Sequence, residues 1–348
     1  MELLVNIEIN NDSRIPKYKQ IANSIIKNIT KGNLTIGQKI PSINEISEEY
    51  YLSRDTVEKA YNELKEKRII VSAKGKGYYV AKTDLSAKLN VLFLINKLSS
   101  YKMRIFNSFV NTLGTNAQVD LHIYHCDESI FLNLLEKHQG SYDYYVIMPH
   151  FKNESQEHMG ASDDVKKALR KISREKLILL DSQIKYFDYP HSEIYQDFEN
   201  DIYEALVSGL DKLAKYEKLI LVYPNHILYP YPKEILLGFR KFCALHSFDF
   251  EILDEIYDGM ELQPDDVYIT IEENDLVSLV KQIRDHGYTP GRELGVISYN
   301  DTPLKELLGI TVISTDFKKM GETSAKLILD NSPARIKNDF HFIDRNSI

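Results

Sequence analysis

Tryptophan is absent, and the two cysteines, Cys126 and Cys243, lie far apart in the chain. That spacing gives no CxxC pair and no Cys/His cluster with metal-ligand spacing, which excludes a zinc-organised fold and a disulfide framework. Two free thiols in a reducing cytoplasm are expected. No apolar run approaches the roughly 18 residues that a membrane-spanning helix needs. The opening stretch MELLVNIEIN lacks the basic start and the apolar run of a secretory signal, so a soluble, cytoplasmic protein with no membrane partner is expected. No GxSxG, no phosphate-loop GxxxxGK and no Ser/His/Asp arrangement stands out. Catalytic residues, metal and cofactor are accordingly expected to be none.

What is present is length, hydrophobic content and an uneven charge. The 348 residues are 43% hydrophobic, include 23 tyrosines and carry a net charge of −8. Two or three domains are expected at that length. Residues 1–82 hold 14 Lys/Arg against 10 Asp/Glu, leaving 29 and 41 of the totals for the remainder. A small basic head on a larger acidic body fits nucleic-acid binding confined to the head.

The head has its own pattern. PKYKQIANSIIKNITKG starts with Pro16 and places apolar residues at Tyr18, Ile21, Ala22, Ile25, Ile26 and Ile29, a helical stripe closed by Gly32. LTIGQKIP reads as a turn. Ser42 and Glu45 have capping-box spacing ahead of a short second helix. A third helix starts at Ser53, with Val57, Ala60, Tyr61 and Leu64 on one face and Arg54, Asp55, Thr56 and Lys59 at its start and outer side. Two helices joined by a tight turn, the second polar at its N-terminus, form a helix-turn-helix. Its second helix can enter a major groove, where an arginine donates two parallel hydrogen bonds to guanine. RIIVSAKGKGYYV then reads as a hairpin whose tip sets Lys74 and Lys76 around Gly75 and Gly77, a wing able to approach phosphates.

Residues 16–80 resemble the winged helix-turn-helix head of GntR-type transcription regulators, through PKYKQIANSIIKNITKG, IGQKIPSINEIS, LSRDTVEKAYNELKEKRII and GKGYYV. The resemblance implies DNA contacts at Arg54, Thr56 and Gly75. Many members carry Arg where this chain has Asn44, so the operator sequence does not carry over, although Asn44 can still reach a base edge or a phosphate.

After a short polar linker at 83–88, strands and helices alternate over 89–348. The strands are LNVLFLI (89–95), VDLHIYH (119–125), YDYYVIM (142–148), KLILLD (176–181), KLILVYP (218–224), DFEIL, DVYITI and ELGVISY, with helices between most of them, one spanning 197–213. Repeated βαβ units predict two parallel-sheet α/β lobes, with ligand bound beyond the carboxyl ends of the strands. The expected architecture is thus α/β: an N-terminal winged helix-turn-helix plus a two-lobed body with parallel sheets.

The second series resembles the effector domain of LacI-type repressors, which is similar to periplasmic sugar-binding proteins, through LLGFRKFCALHSF and the run from YITIEENDLV to SAKLIL. A GntR-type head on such a body looks like the arabinose-repressor group and implies a sugar-responsive repressor of operator DNA; a homodimer is expected, because one small head buries too little for high specificity. The END pattern puts Asp275 where members bind ligand hydroxyls, and SYND puts Asn300 where many have Asp. The position that often supplies a ligand arginine is Ile235 here, with Lys233 the nearest basic group. Loops after the strands add Tyr101, Lys102, His150 and Asp181. Asp275 also suits a helix N-terminus, and His150 and Tyr101 also suit packing. Other readings are a nucleobase or phosphorylated-sugar effector, a sugar-binding transport component, and a pyridoxal-phosphate enzyme body, for which no Schiff-base lysine context is found.

Overall fold

The computed structural model describes residues 7–10, 13, 15–67, 69–73, 75–81, 88–225 and 227–348. The chain divides into two compact units, Met1–Ala87 and Lys88–Ile348. The expected linker lies, apart from Lys88, outside the described residues.

In the smaller unit, α1 (Lys17–Thr30), β1 (Lys39–Ile40), α2 (Ile43–Glu49), α3 (Arg54–Glu66), β2 (Ile70–Ala73) and β3 (Gly77–Val80) follow in order. The apolar stripes read from the sequence meet in one core of Ile21, Ile25, Ile46, Val57, Tyr61 and Leu64. The Ser42–Glu45 capping box forms in both directions: the Ser42 hydroxyl accepts from the Glu45 N–H at 3.2 Å, and the Glu45 carboxylate accepts from the Ser42 N–H at 2.6 Å. The wing is three-stranded, in the order β1-β3-β2, because Lys39 and Ile40 pair with Tyr79 and Tyr78. The segment expected as a turn thus holds a strand, and a two-residue strand has no periodicity to announce it.

The larger unit runs β4 (Leu89–Ile95), α4 (Ser100–Leu113), β5 (Ala117–Ile123), α5 (Glu128–Lys137), β6 (Tyr144–Ile147), a small hairpin of β7 (Phe151–Lys152) and β8 (His158–Met159), α6 (Asp163–Leu169), β9 (Leu177–Asp181) and β10 (Ser192–Tyr195). It continues with α7 (Phe198–Ser208), α8 (Leu210–Leu213), β11 (Lys218–Val222), α9 (Glu234–His246), β12 (Asp249–Leu253), β13 (Asp266–Thr270), α10 (Glu273–Asp285), β14 (Gly295–Tyr299), α11 (Pro303–Leu307), β15 (Thr311–Thr315), α12 (Phe317–Leu329), β16 (Arg335–Lys337) and β17 (Phe340–Ile343). One lobe is built on a parallel sheet ordered β16-β10-β9-β6-β4-β5. The other is ordered β12-β11-β13-β14-β15-β17, parallel except for the antiparallel β15–β17 pair.

The lobes exchange chain three times. After β10 the chain passes to the second lobe, where Ile202, Ala205 and Leu206 of α7 join the core of Leu219, Phe239 and Ile313. After β15 it returns, and Phe317, Met320 and Ile328 of α12 pack with Val91, Phe93 and Ile105. Between β16 and β17 it crosses again. The crossings are bonded side by side: Asn338 donates its backbone N–H to the Tyr195 carbonyl at 2.8 Å, and Asp316 donates to the Asp339 carbonyl at 2.9 Å. The buried Asn338 amide adds bonds to Thr315 Oγ1 at 2.8 Å and to the Asp316 carbonyl at 2.9 Å. This three-stranded hinge departs from the simple succession of two series read from the sequence. Strand alternation does not reveal which lobe receives a given helix. The expected single helix over 197–213 is broken at Gly209, where a Cβ would stand 2.6 Å from the Phe342 ring.

Candidate DNA interface and effector cleft

Ser53 precedes α3 as its N-cap. Its hydroxyl accepts from the Thr56 N–H at 3.3 Å and lies 2.7 Å from Thr56 Oγ1. Both hydroxyls are therefore held at the helix start. Arg54 and Asp55 on α3 and Asn44 on α2 are exposed, as are Gly75 and Lys76 at the wing tip. Lys59 is exposed as well, its ammonium resting over the Tyr18 ring at 4.4 Å. The wing glycines have a backbone reason: φ is 74° at Gly75 and 105° at Gly77, and a Cβ on Gly77 would come 2.9 Å from Lys39 Cε. Lys74 lies outside the described residues.

The second candidate site lies between the lobes of the larger unit, at the carboxyl ends of the parallel strands. From the first lobe come Asn96 and Lys97 after β4, Tyr101 and Lys102 from the first turn of α4, His150 after β6, Asp181 ending β9 and Gln196 after β10. Phe198, Pro230, Tyr231, Pro232, Ile235, Tyr299 and Asn300 face them. The space they enclose is about 30 Å³, enough for one or two waters.

An ion pair organises the first-lobe wall. Lys102 and Asp181 are 1% and 2% exposed, and the ammonium donates to Asp181 Oδ2 at 3.0 Å. His150 Nε2 donates to the same oxygen at 2.8 Å, and the Gln196 amide donates to Oδ1. Burial pushes the Asp181 carboxyl up, but Lys102 and the His150 bond outweigh it and hold it below its ordinary value. Burial, then the Lys102 charge, lowers the pKa of His150, so its ring is neutral; Nδ1 is left to accept from His158 Nε2 at 3.2 Å. Burial pushes His158 down to about 3.

Four polar atoms of the lining lack hydrogen-bond partners: Asn96 Oδ1, Gln196 Oε1, Asn300 Oδ1 and the Tyr299 hydroxyl. Buried polar groups are ordinarily paired, so four such atoms give this cleft hydrogen-bonding capacity that the protein's own groups do not meet. Exposed pairs bridge the rim, Lys185 with Glu234 at 2.6 Å and Lys233 with Glu157 at 3.1 Å. Such pairs are worth about 0–1 kcal/mol each and do not lock the lobes shut.

Of the expected effector residues, Tyr101, Lys102, His150, Asp181 and Asn300 line the cleft, and two do not. Lys233 is spent on Glu157 at the rim. Asp275 sits in the first turn of α10, where its carboxylate accepts the Ile256 N–H at 3.0 Å; it braces a loop instead of facing the cleft. Sequence reading missed Asn96, Lys97, Gln196, Tyr231 and Tyr299. Asn96 and Lys97 directly follow the apolar run LNVLFLI, so the strand-end rule could have found them; Gln196 follows a strand that carried no signal. Among the described residues no cluster of His, Cys, Asp or Glu could hold a metal ion, and no helix is long and apolar enough to cross a membrane.

A winged helix-turn-helix unit and a two-lobed, thrice-crossed α/β unit make up the described chain. Residues 17–80 match the family model of bacterial regulatory proteins, gntR family, and the head is a GntR-type domain. The chain is similar to the HTH-type transcriptional repressor YtrA of Bacillus subtilis, 37% identical over 82 residues, which cover 23% of this chain and 63% of that protein. It is similar also to the arabinose metabolism transcriptional repressor of Geobacillus stearothermophilus, 32% identical over 71 residues, 20% of each chain. Both matched stretches span less than two thirds of the relative. The fold is that of the LacI-family transcriptional regulator from Silicibacter pomeroyi (TM-score 0.60, 13% identity, covering 74% of this chain and 98% of that one). The trehalose repressor from Escherichia coli is a comparable neighbour (TM-score 0.58, 14% identity, 74% and 100%).

Proposed function

We propose that this chain is a transcriptional repressor that binds operator DNA through α3 and the wing and is released when a polyhydroxylated small molecule, of the sugar class, occupies the cleft between the lobes. The observation that carries the reading is the set of four unpartnered polar atoms in a cleft of the same chain that carries a GntR-type head. The named roles of the arabinose and trehalose repressors support a sugar-class effector. The closed cleft is too small for a sugar, so the effector enters when the lobes part about the three-stranded hinge; its binding then resets their angle. The chain acts as a homodimer on a two-fold operator, because one small head buries too little for high specificity. Arg54 reads a base, Ser53, Thr56 and the wing contact phosphates, and Asn44 and Asp55 sit close enough to tune the site.

The test is operator binding by the full chain, with the site selected from random duplexes. Arg54→Ala is expected to cost roughly 1–3 kcal/mol on that operator and to relax one base preference. Lys76→Ala is expected to weaken all DNA evenly and to flatten the salt dependence. Unchanged operator affinity in Arg54→Ala refutes the assignment of α3 as the reading helix.

A further inference from the structure

The cleft contains a buried lysine with no carboxylate paired to it. Lys97 is 8% exposed, and its ammonium has no hydrogen bond and no carboxylate at ion-pair distance among the described residues. Its nearest partners are aromatic faces from the opposite lobe, Tyr231 at 4.6 Å and Tyr229 at 5.6 Å from ring centre. The other lining cation, Lys102, is already spent on Asp181, and His150 is neutral. Glu272, the acid that acts most strongly on Lys97, is outside the lining and accepts the Tyr231 hydroxyl at 2.7 Å. Among the lining residues themselves, positive charge therefore exceeds negative by one, with Glu272 outside the lining acting favourably on Lys97. The carboxylate that the sequence suggested for hydroxyl binding, Asp275, is outside the lining and accepts the Ile256 N–H, and Asn300 in the lining is neutral. Burying an ammonium is unfavourable without an anion to meet it. The neighbouring first turn of α4, a 14-residue helix whose Tyr101 and Lys102 line the same wall, adds the positive end of a helix dipole.

Resting on the reading that this cleft is the effector site, we propose that the effector is a polyhydroxylated anion, a sugar acid or a sugar phosphate, whose charged group is held by Lys97. Its hydroxyls donate to Asn96 Oδ1, Gln196 Oε1 and Asn300 Oδ1, and its apolar ring face lies against Tyr231 and Phe198. Carboxylate and phosphate share the chemistry that Lys97 recognises.

The experiment is calorimetric titration of the full chain with matched sets: glucose, galactose and arabinose; glucuronate, galacturonate and gluconate; and the glucose and galactose phosphates. An acid or a phosphate is expected to bind at least tenfold more tightly than its neutral parent, and the two anionic arms show which group is preferred. Lys97→Gln is expected to lose roughly 10–100-fold for that anion, the usual worth of a charge-assisted bond, and Lys97→Arg to retain most of the affinity. Should the Lys97 variants fail to fold, the wild-type panel decides, together with a fall in anion affinity as salt rises. Neutral sugars binding as well as their acids and phosphates, no anion binding at all, or full anion affinity in a folded Lys97→Gln overturns the proposal. Failure of the functional reading looks different: an anion binds through Lys97 and leaves operator affinity unchanged.

Discussion

Replacing Lys102 with Met tests whether the ion pair beneath the cleft is the wall's organising element. The ammonium and the Asp181 carboxylate meet at 3.0 Å with almost no solvent, and the carboxylate's remaining partners are His150 and Gln196. Removing one member of a buried pair strands the other charge, which costs about 3–5 kcal/mol. At about 2–3 °C per kcal/mol for a unit of this size, the larger unit should melt roughly 6–15 °C lower. Asp181→Asn strands the ammonium instead and should cost a similar amount. The double variant Lys102→Met/Asp181→Asn removes both charges together and should lie well above the sum of the singles, with a coupling of about 2–3 kcal/mol. Scanning calorimetry of the full chain at pH 7 reads all four proteins. Additive losses, or an unchanged melting temperature in Lys102→Met, would show that the pair is incidental to the wall.

A Cβ at Gly238 would lie 2.1 Å from the Glu199 carbonyl oxygen and 2.5 Å from Ile202 Cγ2, so Gly238→Ala must force α7 and α9 apart. Chemical denaturation should show a loss of roughly 1–3 kcal/mol. Burial pushes the Asp201 carboxyl up to about 6, only partly offset by Lys337 at 3.1 Å. The folded state thus keeps a proton that the unfolded chain has released between about pH 4 and 6, and stability falls as pH rises through that window. Asp201→Asn should remove this slope, so that its stability relative to wild type grows by about 3 kcal/mol from pH 4 to pH 7, measured by paired urea titrations; parallel pH profiles would refute it.

The head was legible nearly to the residue because its signals are local. Pro16, the Ser42–Glu45 box, Ser53 and the wing glycines each act on their own turn, and the three apolar stripes needed only one another. Strands β4, β9, β11 and β13 were legible as mainly apolar runs because most of their residues are buried. Strand β10 was not, since SEIY buries Ser192 and Glu193 and looks polar; Glu193 is satisfied by His191, Gln183 and Arg335, contacts that no window of sequence displays. The cleft was legible as a place, through the rule of strand ends, but only partly as a residue list. Lys233 and Asp275 have the expected chemistry at the expected positions, yet their side chains were claimed by Glu157 and the Ile256 backbone. Lys97, without an ion pair among the described residues, and Gln196, with its Oε1 unpartnered, are distinguished by what they fail to touch, which only the folded structure reveals.

The last crossing between lobes bears on how the chain acquires its structure as it leaves the ribosome. The head is assembled from residues that are contiguous in synthesis, so its core is complete once Val80 has emerged. The first lobe has no such independence: its sheet borders on β16 at Arg335–Lys337, and its helical layer includes α12. Its strands β4, β5, β6, β9 and β10 are translated early and must wait, with an apolar face and a sheet edge uncovered, while the whole second lobe is made. Stalling translation near residue 300 should therefore yield a folded head tethered to a body in which neither lobe is finished, and a chaperone that shields parallel-sheet edges should engage the nascent chain over that interval.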